Sequence, residues 1–365
     1  MILFLTGCYD ANSIEASYYI VAIGIDKGQN ELYNLSIQIA KNESGSSESS
    51  SSQSSDYAIY QVECSTFENG ISILNNYLNK TINLSHCSAI VFSEELAREG
   101  LGNIINSLAS NDEIRPTAYI IISNKTAYDV LDKVSNSGEN FSSRFYEYII
   151  SSANYTGYSE KTTFEEFAAK TNSKMEDCTT IYTHVNDKNI INSGLAIFKE
   201  DKMIGTADAL DSIAHLILTN EIKEALITIP NPFDESSFVD LEIKNYKKSK
   251  INVYMINNTP LIKFNIFLHA NIKTSGKNFD YTNIDNIKIL NNYATKYIEK
   301  ITLNYLYKIT KYYNADVIGV QRTLSQKCLT NAELENYKLK KVFKDSFFKS
   351  NINLQIESTN LFSKE

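Results

Sequence analysis

A thiol behind a run of small residues is the constellation in this sequence whose spacing points most clearly to a defined reaction. Leu5-Thr6-Gly7-Cys8 fits a lipobox at all four positions: an aliphatic residue, a small or hydroxylated one, Gly or Ala, then Cys. Small side chains ahead of the Cys let a peptidase grip extended backbone, and the sulfur then carries diacylglycerol. Leu5, Thr6 and Gly7 are therefore the expected signal-peptidase residues and Cys8 the expected lipidation site. A secretory leader also has a basic segment and an apolar stretch of roughly 7–15 residues. No Lys or Arg precedes Cys8, so residues 1–7 read as a truncated signal, and the chain as written is expected to export poorly. An acyl methylene buried in a bilayer contributes about 0.8 kcal/mol, so the two or more chains on such a cysteine hold firmly.

Other reactive side chains are scattered. His86, His184, His215 and His269 lack metal-ligand spacing, and H-E-x-x-H is absent. No G-x-S-x-G elbow, G-x-G-x-x-G turn or G-x-x-x-x-G-K-[ST] loop occurs. Glu94-Glu95 and Glu165-Glu166 are adjacent pairs, which point in different directions on a helix and read as charges complementing helix N-termini. Cys64, Cys87, Cys178 and Cys328 are too widely spaced for a disulfide framework and read as small buried hydrophobes. The sequence thus predicts no catalytic residue, no metal and no cofactor; a ligand-binding residue is not identified.

A net charge of -8 argues against nucleic acid, since phosphate backbones need clustered Lys and Arg. The dense basic run Lys244 to Lys250 reads as a solvated turn. No apolar stretch approaches the roughly 20 residues a membrane-spanning helix needs: Tyr18 to Ile25 is short, and Leu261 to Ile272 is broken by Lys263. The mature body is expected to carry no transmembrane helix and to reach the membrane through the diacylglycerol on Cys8.

These 365 residues, 43% hydrophobic, exceed the usual size of one domain. After an anchor linker over 8–16, Tyr18 to Ile25 and Leu32 to Ile39 predict a hairpin. The Ser-rich run within 42–56 predicts a solvated loop, and Tyr57 to Cys64 a third strand. Ser65-x-x-Glu68 reads as a capping box opening a helix with Phe67, Ile71, Leu74 and Leu78 on one face. Strand and helix patterns alternate to about Val134, which gives an N-terminal mixed α/β domain over 17–135. A smaller middle domain is expected over 136–192, with helices at Phe141 to Ala153 and Thr163 to Lys170. A C-terminal α+β domain follows over 193–365: strands at Ala225 to Ile229, Phe238 to Lys244, Lys250 to Ile256 and Leu261 to Ile272, a long helix from Ile284 to Tyr313, and a closing strand at Asn351 to Ile356. The overall expectation is a multi-domain α+β protein with mixed sheets flanked by helices. The tyrosines crowding the long helix read as its core boundary.

Five stretches, in order along the chain, resemble the Ger(x)C family of spore germination lipoproteins. They are Leu5-Thr6-Gly7-Cys8-Tyr9-Asp10, Ile23-Gly24-Ile25-Asp26-Lys27, Ser93-Glu94-Glu95-Leu96-Ala97-Arg98-Glu99-Gly100-Leu101, Asn111-Asp112-Glu113-Ile114-Arg115-Pro116-Thr117-Ala118-Tyr119 and the run from Gly194 to Gly205. Departures are Tyr9, where relatives usually have Trp, the Ser-rich insertion and the short leader. The resemblance implies the C subunit of a nutrient germinant receptor, an α+β body of three domains at the outer face of the spore inner membrane. It also implies assembly with integral A and B subunits and a response to small nutrient germinants. The family assigns no catalytic residues, so only Cys8 carries over. Arg115, ahead of Pro116 at a strand entrance, is expected to fix that turn by ion pairing. A lipid-anchored solute-binding protein of a transport system is the alternative, and it would show two lobes of repeated βα units.

Overall fold

The computed structural model describes residues 17–40, 57–135, 146–147, 150–152, 155–173, 175–187, 189–274, 283–337 and 339–357. The lipobox Leu5, Thr6, Gly7 and Cys8, the Ser-rich loop 42–56 and most of the helix expected over Phe141 to Ala153 lie outside the described residues.

Two sheets organise the chain. The first has nine strands in the order β3-β2-β1-β5-β6-β7-β8-β9, with β4 (Thr81–Asn83) pairing β1 alongside this path. Its antiparallel start is β1 (Ser17–Lys27), β2 (Tyr33–Ala40) and β3 (Tyr57–Cys64). The centre is parallel: β1 pairs β5 (Ala89–Ser93), which pairs β6 (Tyr119–Ser123), which pairs β7 (Thr179–Val185). Antiparallel β8 (Ile190–Lys199) and β9 (Lys202–Ala207) complete it.

Parallel strands must be covered on both faces, and their sequences are apolar throughout for that reason. On β5 and β6, Ile90, Phe92, Ile120 and Ile122 enter one core, while Ala89, Val91 and Ile121 enter the opposite one. The first face is covered by α1 (Phe67–Tyr77), α2 (Glu94–Glu99), α3 (Gly102–Ala109) and α5 (Phe164–Asn172), the second by α4 (Ala127–Ser135). Helix α1 buries Phe67, Ile71 and Leu74 as its spacing predicts. Its cap differs from the prediction: Thr66 Oγ1 accepts the Asn69 N–H, while the neighbouring Ser65 hydroxyl donates to Glu31. Both residues can cap; only Thr66 directly precedes the first helical turn.

The second sheet has the order β10-β11-β12-β13. Strands β10 (Ala225–Asn231), β11 (Asp234–Ile256) and β12 (Thr259–Thr274) form an antiparallel meander, and β13 (Phe347–Glu357) lies parallel to β12. On β12 buried and part-buried residues alternate strictly from Thr259 to Ile272, which seats Ile262, Phe264, Ile266 and Leu268 under α6 (Ala209–Thr219) and α7 (Ile284–Tyr307). The long predicted helix ends at Tyr307 and continues as a wider π-turn from Lys308 to Tyr313.

Two sequence expectations change here. The middle unit expected over 136–192 is not separate in the hydrogen-bond ladder, because β7 and β8 belong to the first sheet and β8 runs through the 192/193 boundary. Alternation along β8 explains this: Ala196 and Phe198 join the first core, while Leu195 and Ile197 join that of the second sheet. The basic run Lys244 to Lys250 is not a turn either. It lies inside the 23-residue β11, whose register shifts between Asn245 and Lys247 and again between Lys247 and Lys250. Bulges absorb the extra residues and let the strand go on.

Candidate functional site

Where the two sheets meet, a cleft of about 1100 Å³ opens between four segments. One wall is the stretch from Ser159 to Lys170, which leads into and through α5. The others are the end of α6 with Asn220 to Lys223, the bulged part of β11, and α8 (Val320–Ser325) with its flanks. Each wall has a local reason for its position. Helix α5 starts at a capping box in which Thr163 Oγ1 accepts the Glu166 N–H and Glu166 accepts that of Thr163. Helix α6 stops at Asn220, left-handed at φ 67°, a conformation Asn tolerates better than most residues. Asp316 accepts the N–H groups of Val320 and Gln321 at 2.9 and 2.7 Å and so caps α8.

A charged network backs the cleft. Glu160 lies 3.2 Å from His215 Nε2 and accepts the Thr179 hydroxyl, and His215 Nδ1 lies 2.8 Å from the Tyr305 hydroxyl. Glu176 joins Lys170 at 3.2 Å and Arg322 Nε at 2.9 Å. Burial alone would raise Glu160. The charges of His215 and Lys170, with the hydrogen bonds from His215 and Thr179, outweigh it and hold the carboxyl at about 2. Burial would likewise lower Lys170, yet Glu160, Cys178 and Glu176 push it above its ordinary range.

The histidine of this network is sealed from solvent. Its two ring nitrogens face Glu160 and Tyr305, and the residue is not among those that line the cleft. The Cys178 thiol is pushed well above its usual range by burial, the opposite of an activated nucleophile. Among the described residues no three His, Cys, Asp or Glu gather to hold a metal.

The floor differs in kind. Ser159 Oγ, Ser249 Oγ and both amide atoms of Asn245 are buried and without a hydrogen-bond partner, and all three residues line the cleft. Ser159 is 1% exposed and Ser249 6%. Sequence reading found none of this floor. Ser159 is some 90 positions from Asn245 and Ser249, and the Lys244 to Lys250 run, the local signal that does enter the cleft, looked like an exposed turn. A second, smaller pocket of about 150 Å³ lies beside Asp177 and Asp316.

Residues singled out in the sequence have varied places. Glu94 and Glu95 sit in the first turn of α2; Glu94 pairs Arg98 and accepts the Tyr182 hydroxyl, and Glu95 lies 3.4 Å from Lys27. Cys64, Cys87 and Cys178 are buried and Cys328 half-buried, all as free thiols. Arg115 is exposed and forms no ion pair among the described residues; its turn is closed by the Ala118 N–H donating to the Arg115 carbonyl at 3.0 Å. The ion-pairing expectation for Arg115 is therefore dropped. No described helix is long and apolar enough to cross a membrane.

Comparison with known proteins decides the family. The description "Spore germination protein N-terminal domain" matches residues 10–185, and "Spore germination B3/GerAC like, C-terminal" matches residues 193–360. The chain belongs to the Ger(x)C family of spore germination proteins. Among Ger(x)C relatives, YfkR of Bacillus subtilis (strain 168), whose name places it in spore germination, is 23% identical over 94% of this chain and 90% of its own. Spore germination protein GerQC of Bacillus cereus is 23% identical over 66% of each chain. The crystal structure of the GerBC protein matches with a TM-score of 0.60 at 17% identity, covering 92% of this chain and 96% of that one, so the Ger(x)C fold is shared where sequence has diverged.

Proposed function

We propose that this chain is the C subunit of a spore nutrient germinant receptor, lipid-anchored through Cys8 behind Leu5-Thr6-Gly7. It works without enzymatic chemistry, as an assembly component beside integral A and B subunits at the outer face of the spore inner membrane. The observation that carries the reading is the pair of spore germination domains, which together take in residues 10–185 and 193–360. The absence of a membrane-capable helix among the described residues is compatible with attachment through lipid, and the engaged His215 and raised Cys178 give no support to catalysis. The solute-binding alternative loses support, since the second sheet is an antiparallel meander plus one parallel strand and not a lobe of repeated βα units.

The test has two arms. Mass spectrometry of the N-terminal peptide from native spore membranes should find a diacylglycerol thioether on Cys8. Pull-down from detergent-solubilised membranes should bring down companions with several membrane spans. An unmodified Cys8 thiol on protein recovered in the soluble fraction, with no such companion, would overturn the reading.

A further inference from the structure

We infer that the cleft between the two sheets binds a small hydroxyl-rich organic anion, of sugar-acid or sugar-phosphate type. The inference goes beyond the receptor role and is independent of the lipid anchor and of companion subunits, because the chain alone reports it.

The floor argues for a hydroxyl-rich partner. A buried hydroxyl or amide without a hydrogen bond is costly, and folded proteins leave few of them. Here Ser159, Asn245 and Ser249 together leave two hydroxyls and a whole carboxamide without partners in one cleft. They offer both donors and acceptors, which suits groups that are themselves both, as sugar hydroxyls are. Two of them, Asn245 and Ser249, lie four residues apart on β11 and both line the cleft. The register shifts at Lys247 fall between these two residues, and bulges of this kind recur beside functional sites. The Ser249 N–H donates to Asn220 Oδ1 at 2.6 Å, which pins the bulge to the end of α6.

The rim argues for the negative charge. Lys161, Lys223 and Lys248 line the cleft and pair with no carboxylate among the described residues. Against them stand Glu166, which is engaged in its capping box, and Glu221. The deeper charges Glu160, Lys170, Glu176 and Arg322 neutralise one another. The cleft is thus a cationic rim on a chain of net charge -8. Its volume of about 1100 Å³ reaches the upper end of ordinary small-molecule sites, roughly 300–1,000 Å³, enough for a hexose bearing an acidic group.

Isothermal titration of the full chain with glucuronate, glucose 6-phosphate, glucose and inorganic phosphate tests this. Saturable one-to-one binding of glucuronate or glucose 6-phosphate is expected, about tenfold or more tighter than glucose or phosphate, and the stronger of the two acids identifies the source of the charge. Asn245→Ala should weaken it about tenfold, and the double variant Lys223→Ala with Lys248→Ala should weaken it at low salt and flatten its salt dependence. Ser159→Ala and Ser249→Ala separate a site from a structural role: each should leave Tm unchanged or higher while weakening binding, because an unpaired hydroxyl is removed. No saturable binding of any of the four compounds, glucose binding as tightly as the acids, or binding indifferent to these substitutions would each overturn the inference.

Discussion

Asn220 and Ser249 are joined by a 2.6 Å hydrogen bond from the Ser249 backbone N–H to the Asn220 side chain, and this contact ties the end of one helix to the irregular part of the longest strand. Asn220→Gly keeps the left-handed backbone but removes the acceptor; Asn220→Ala loses both. Glycine should cost about 1 kcal/mol and alanine about 1 kcal/mol more, read from urea midpoints. If the two variants were equally stable, the left-handed conformation at 220 would not matter to the fold.

Tyr305→Phe tests the buried chain from Glu160 to His215 to Tyr305. Phenylalanine fills the same space, so the loss comes from the unpaired His215 nitrogen, about 1–3 kcal/mol. Chemical denaturation should show it as a lower midpoint with unchanged slope. An unaltered midpoint would mean that the 2.8 Å contact contributes nothing net.

Asp316 gives stability a pH dependence. Burial pushes its carboxyl up to about 7 despite the N–H groups of Gln321 and Val320, and Asp177 adds repulsion. A folded-state value above the unfolded one means the native protein holds the proton more tightly, so this contribution is full below about pH 4 and is lost as pH rises towards 7. Asp316→Asn should flatten the fall in unfolding free energy between pH 5 and pH 8 by about 1 kcal/mol or more. Glu160 acts at the other end. Its depressed value of about 2 contributes stability above the unfolded carboxylate range that disappears as pH falls towards 2. A wild-type profile that falls between pH 5 and pH 8 no more steeply than the variant's would contradict the Asp316 assignment.

Gly194 should be intolerant. Its φ is 144°, and a Cβ there would lie 1.8 Å from the Ala207 carbonyl oxygen of the neighbouring strand. Gly194→Ala combines backbone strain with a clash against another backbone, and a loss above about 3 kcal/mol is expected. Soluble yield and the thermal midpoint are the measurements; wild-type values for both would show that the strand can shift.

Arg115→Ala should do little. The side chain is exposed and unpaired among the described residues, so a change within about 0.5 kcal/mol is expected by urea titration. A loss beyond 1 kcal/mol would restore an electrostatic role for this residue.

Much of the fold was legible because period carries it. Alternation gave β2 and β13, an apolar run gave β12, and helical spacing gave α1 and α7. The middle was harder: β7 and β8 read as local strands, and nothing local says that they join a sheet begun at Ser17. The family-like stretches were legible as words before they were as contacts. Asp26 accepts the N–H groups of Ala127 and Tyr128 at 2.6 and 3.1 Å, which seats α4 on β1. Lys27 reaches Glu95 and Glu99 of α2. Asp201 accepts the Gly102 N–H at 3.0 Å and starts α3. Stretches far apart in sequence thus fasten to one another. The cleft was not legible, because it depends on a meeting of segments from residue 119 to residue 326. Lipidation of Cys8 rests on the lipobox alone.

Strand β8 gives its two faces to different cores, and this bears on how the protein can be cut. A fragment beginning at residue 193 would carry Ala196 and Phe198 into water, and one ending at residue 185 would leave β7 as a raw edge. Each half expressed alone should therefore aggregate or bind its missing counterpart, and the intact chain should melt in a single cooperative step that carries both sheets together.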